Sequence, residues 1–130
     1  MTKRQDIVLV VDDDRAVRDS LKFALEVEGL LVRVCSGGAE LLVHPDLLEA
    51  CCIVLDYKMP EMDGLAVLAL LAAQDLAIPV IVITAHATKH LRDGATKAGV
   101  RHILEKPLFN GGLLDSIHAI LGHQALRIIP

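Results

Sequence analysis

The sequence has few cysteines and no pattern among them. Cys35, Cys51 and Cys52 are three in number and show no CxxC spacing. Such a set excludes a disulfide framework and offers no zinc site, so buried thiols in a reducing compartment are expected. There is also no Lys/Arg run, and the net charge is -4. That leaves no electrostatic footprint for direct nucleic-acid binding. Apolar residues make up 53 % of the chain, yet Pro79 and scattered polar residues break every stretch well short of membrane-spanning length. No membrane contact is expected. Residues Met1 to Asp6 lead straight into a strand-length run with no secretory signal, so the expected location is cytoplasmic. Internal repeats, low-complexity tracts and linkers are missing too. Residues 1–130 should form one domain with a core at about 6–121, and 122–130 should be a tail or the start of a linker.

What the chain does have is an alternation of two kinds of segment. Short β-branched runs occur at Ile7–Val11, Leu30–Val34, Cys52–Leu55, Val80–Ile83 and His102–Leu104. Several are apolar on both faces, as parallel strands covered by helices on each side must be. Segments of helical period lie between them, at 15–28, 37–43, 64–74, 89–98 and 113–121. Asp14 is placed to cap the first, and Gly29 to stop it. The fold class is therefore α/β. Right-handed crossovers predict a flavodoxin-like, doubly wound (βα)5 three-layer sandwich with a parallel sheet in the order 2-1-3-4-5.

The polar residues fall at the strand ends. The first strand ends in Asp12-Asp13, the third in Asp56, the fourth in Thr84 and the fifth in Glu105-Lys106-Pro107. Only the second, an edge strand in this order, ends blandly at Cys35-Ser36-Gly37. Open α/β sheets build their sites at the carboxyl ends of strands. The first, third, fourth and fifth strands are contiguous, so Asp12, Asp13, Asp56, Thr84 and Lys106 should converge on one crevice. Three carboxylates there form a hard-oxygen site suited to Mg²⁺. Asp12 and Asp13 are both expected to be buried like charges, so removing Asp13 should stabilise the metal-free chain.

"VVDDD", "IVLDYKMPEMDG", "VIVITAHA" and "LEKP", in that order and spacing, resemble the receiver domain of two-component response regulators. The resemblance spans about residues 6–121. It implies that Asp56 accepts a phosphoryl group. Mg²⁺ would be held by Asp12, Asp13, Asp56 and the carbonyl of Lys58. Thr84 would bind a phosphoryl oxygen, and Lys106 would pair with its charge. It also implies a sensor histidine kinase as partner, control of an output such as transcription, and no turnover chemistry. Lys58 and His86 occupy positions that tune phosphate lifetime in the family. The resemblance further implies a cis Lys106–Pro107 bond, and Tyr57 should face away from Asp56 under a helix. A phosphorylation-dependent homodimer is expected through the fourth helix, fifth strand and fifth helix. Ile103 and Leu91 would be its apolar contacts, with Arg92, Asp93, Lys97 and Arg101 as the rim. One departure is Ile103, where relatives carry Tyr or Phe, which puts their aromatic switch in doubt here.

The rival from another class is a haloacid-dehalogenase-type Mg²⁺ phosphatase. It too uses an Asp nucleophile, and "VVDDDRA" contains D-x-D. Such enzymes are longer, however, and that reading leaves Asp56 without a task. His86 and His90 are four apart but have no third ligand, so they read as surface histidines.

Overall fold

The computed structural model describes residues 7–108 and 111–128, with side chains as far as residue 122. The elements run β1 (Ile7–Val11), α1 (Arg15–Val27), β2 (Leu31–Cys35), α2 (Gly38–Leu42), β3 (Ala50–Asp56), α3 (Gly64–Ala73), β4 (Val80–Thr84), α4 (Lys89–Lys97), β5 (His102–Glu105) and α5 (Gly112–Ile128). A single 3-10 turn at Leu47–Glu49 precedes β3. All pairings are parallel and the sheet order is β2-β1-β3-β4-β5, as expected from the alternation.

Strand pleating divides the core into two layers. Leu9, Val11, Ile53, Leu55 and Val82 point to one face and meet Leu41, Val67, Leu71 and Leu91 of α2, α3 and α4. Val8, Val10, Val54, Ile81 and Ile83 point to the other and meet Leu25 of α1 with Ile117 and Ile120 of α5. Every position of β1, β3 and β4 is buried. Each such aliphatic side chain contributes about 1.5–3 kcal/mol, so these strands hold the sheet's centre rigidly. A rigid centre can carry two buried carboxylates at its edge.

Local signals set the helix ends. Asp14 caps α1, its side chain accepting from Ala16 N and Val17 N. Gly29 follows in the left-handed region at φ 89°, where glycine carries no Cβ penalty.

Two expectations need correction. The fifth helix does not stop at residue 121 but continues to Ile128. Leu91 is not a surface residue, because it is fully buried in the core layer under α2, α3 and α4. Its helical stripe is the inward one, shared with Ala95. Among the described residues the exposed large apolar side chains are Phe23, Val27, Val43, Leu48 and Leu70, none of them on α4 or β5.

Candidate functional site

The carboxyl ends of β1 and β3 are adjacent, with Val11 paired to Leu55. The next residue on the Val8–Val10 face is Asp12, and the last on the Val54 face is Asp56. Pleating alone therefore aims both carboxylates to the α1/α5 side. Lys106 follows Leu104 on that same face of β5. Its Nζ lies 3.2 Å from Asp12 Oδ2 and 3.2 Å from Asp56 Oδ1. Ligand oxygens of Asp12, Asp13 and Asp56 all lie within 4.8 Å of one another.

Their burial differs. Asp12 is wholly buried and Asp56 is 4 % exposed, but Asp13 is exposed. The expected stabilisation on losing Asp13 is thereby corrected, because its charge is already solvated and contributes little strain. The strained carboxylate is Asp56. Asp12 is anchored from several sides. Its Oδ1 accepts from Asp14 N at 2.9 Å, and its carbonyl accepts from Arg18 Nη1 at 2.8 Å.

One ammonium faces three carboxylates, so the crevice stays electronegative. Burial first, and the Asp12 charge second, push Asp56 up to about 6, against the opposing pull of Lys106. Burial works against the charge on Lys106, but Asp56 and then Asp12 overcome it and hold its titration above the ordinary lysine value. A hard divalent cation would relieve the same repulsion, and the all-oxygen donor set fits Mg²⁺.

The β3–α3 loop is tightly folded. Gly64 N donates to Tyr57 O at 2.7 Å. A Cβ on Gly64 would stand 3.1 Å from Tyr57 Cα and 3.4 Å from Asp56 O. Close backbone approach, rather than an unusual φ, is thus what requires glycine here. Asp63 caps α3 by accepting from Ala66 N at 2.9 Å. Lys58, the expected carbonyl ligand, lies exposed in this loop. Tyr57 packs against the α2/α3/α4 layer, away from the Asp56 face, as expected. The Lys106–Pro107 bond is cis, as the resemblance implied.

Thr84 is buried at the end of β4, in register with Glu105, and Val82 is in register with Ile103. These four residues share the opposite sheet face from Asp56. The Thr84 hydroxyl is engaged locally, donating to the His86 carbonyl at 3.2 Å and accepting from His86 N at 3.3 Å. Sequence reasoning placed Thr84 at the crevice but missed this turn, and it gave Glu105 no role. A cavity of about 590 Å³ lies at the other end of the sheet, lined by Leu71, Ile78, Val80, Val100 and Ile120 among others. Its lining holds no carboxylate, so it is separate from this chemistry.

Comparison with known proteins decides between the two chemistries that the carboxylates allow. The family model described as the response regulator receiver domain matches residues 8–118. The chain belongs to the response regulator receiver family. The haloacid-dehalogenase reading is set aside on this finding. The receiver is 40 % identical over 118 residues to the transcriptional regulatory protein FixJ of Azorhizobium caulinodans, covering 91 % of this chain and 56 % of that protein. It is 36 % identical over 120 residues to the C4-dicarboxylate transport transcriptional regulatory protein DctR of Rhodobacter capsulatus, covering 90 % and 61 %. It thus spans little more than half the length of these curated relatives. Among solved structures it resembles the crystal structure titled FixJ-N, with a TM-score of 0.81 and 33 % identity over 93 % of this chain and 97 % of that one. Among the described residues no helix is long and apolar enough to cross a membrane.

Proposed function

We propose that this receiver acts in the cytoplasm and accepts one phosphoryl group on Asp56 from the phosphohistidine of a sensor histidine kinase. We further propose that the phosphorylated chain controls an output in transcription, as part of a longer protein or through a partner. The observation that carries this reading is the meeting of Lys106 with both buried carboxylates at 3.2 Å beside the exposed Asp13. Asp12, Asp13, Asp56 and the Lys58 carbonyl would hold Mg²⁺, which supplies positive charge against the carboxylates and the incoming phosphoryl oxygens.

The transfer itself asks little of the protein beyond positioning and charge neutralisation. An ionised Asp56 oxygen forms a bond to phosphorus. The bond from phosphorus to the donor's nitrogen or oxygen breaks, and its electron pair leaves with the donor. The product is an acyl phosphate, held by the chain and not released as a turnover product. Lys106 stands beside Asp56 Oδ1 to balance the added charge. The Thr84 hydroxyl must leave its His86 contacts to donate to a phosphoryl oxygen. Acetyl phosphate with Mg²⁺ should add the mass of one phosphoryl group, and chelation with EDTA should abolish the addition. Equal uptake in EDTA would contradict the assigned metal role.

We propose, too, that phosphorylation promotes a homodimer through α4, β5 and α5. Thr84 and Lys106 both lie at the entrance to that half of the domain. With Leu91 in the core, the face offers partly buried Ile103 among exposed Arg92, Asp93, Lys97 and Arg101. A rim-like, charged composition suits a non-obligate interface. Sedimentation with and without beryllofluoride, which mimics the acyl phosphate, should show a heavier species only with the mimic. A monomer under both conditions at high concentration would remove the dimer from the account.

A further inference from the structure

Glu105 ends β5 and Lys106 follows it directly, and the two side chains point to opposite faces of the sheet. Lys106 faces the acidic pair, whereas Glu105 faces the β4–α4 loop. Three groups converge on its carboxylate. Ala87 N donates to Oε2 at 3.5 Å, His86 Nδ1 stands 4.0 Å from the same oxygen, and Arg92 Nη2 of α4 stands 3.8 Å from Oε1. His86 is the residue whose backbone occupies both functions of the Thr84 hydroxyl. A continuous path therefore runs from the Glu105 carboxylate through residues 86 and 87 to Thr84. The strand is tied to the same place by Lys106 N donating to Thr84 O at 2.7 Å.

We infer that Glu105 is a positioning residue for phosphoryl transfer, a latch that holds the β4–α4 loop with the Thr84 hydroxyl turned onto His86. The inference rests on the receiver reading above. Two loop states compete. In the latched state the hydroxyl is spent on the loop. In the released state it is free to donate to a phosphoryl oxygen. Ligands that bind the released state better are penalised by the fraction of chains still latched. Each contact to Glu105 is long and its groups are half-exposed or, for His86, largely exposed, so together they bias the loop only modestly, by roughly two- to fivefold.

The direction is the informative part. Removing a merely structural contact loosens a protein and weakens its ligand, whereas removing a latch tightens binding. Glu105→Ala should therefore bind beryllofluoride with Mg²⁺ roughly two- to fivefold more tightly in titration calorimetry. Arg92→Gln, which loses one of the three contacts, should change affinity in the same direction by less. The gain should vanish in a Thr84→Val background, because the latch acts through that hydroxyl. Unchanged or weaker binding by Glu105→Ala would overturn the inference, as would a gain that survives in Thr84→Val. If the wild-type chain binds no beryllofluoride at all, the receiver reading fails and this inference falls with it. Normal wild-type binding with no Glu105 effect strikes the latch alone.

Discussion

Asp56→Asn should take up no phosphoryl group from acetyl phosphate and should at the same time be the more stable protein. The first effect follows from loss of the nucleophilic carboxylate. The second follows from its strain. Asp56 titrates near 6 rather than 3.8, so the folded chain binds that proton more tightly than the unfolded chain does. Between about pH 4 and 6 the folded state holds the extra proton, and this group's contribution to stability falls as pH rises. Above that window the carboxylate is charged in both states, and the full penalty, about 3 kcal/mol, is present. Asparagine carries no such penalty. Urea unfolding in EDTA at pH 7.5 should place the variant above wild type by about that amount, and the gap should close toward pH 4. A variant less stable than wild type at pH 7.5 would show that Asp56 is not the strained member of the cluster.

Lys106→Ala should show the reverse. Its ammonium is the cation shared by Asp12 and Asp56, both buried. Removing one partner of a buried ion pair costs roughly 3–5 kcal/mol, because a charge is left uncompensated. Lys106 keeps about a quarter of its side-chain exposure, and solvent screening reduces the expected loss to about 2–4 kcal/mol at pH 7.5 without metal. Protonation of Asp56 near pH 5 should restore much of it, as should millimolar Mg²⁺. Phosphorylation should slow by about 100-fold, as when one fixed donor to a developing anion is removed. A variant as stable as wild type at pH 7.5 and indifferent to Mg²⁺ would contradict the shared-cation geometry.

The sheet order and the convergence of the strand ends were legible because two simple patterns carry them. Apolar runs such as "PVIVIT" must be covered on both faces, and polar residues can end such strands only where the sheet opens to solvent. Asp12, Asp56 and Lys106 follow from that directly. What escaped was set by contacts that period and composition do not encode. Leu91 falls on a short, polar helix, and only its place in the core layer beside α3 shows it turned inward. Asp13 is adjacent to a fully buried carboxylate yet lies exposed, because successive residues leaving the strand point opposite ways. The Thr84–His86 turn and the Glu105 contacts join residues by side-chain rotamer, which the sequence does not specify. The full length of α5 is not legible in the sequence, because Gly122 and His123 interrupt its apolar stripe although the helix continues through them.

The central claim is that the phosphoryl group resides on Asp56. The most direct measurement is to treat the chain with acetyl phosphate and Mg²⁺, reduce the acyl phosphate with borohydride to homoserine, and locate that residue by peptide mass mapping. The account predicts homoserine at position 56 alone. Homoserine at Asp12 or Asp13, or a stable phosphate that resists borohydride, would contradict it.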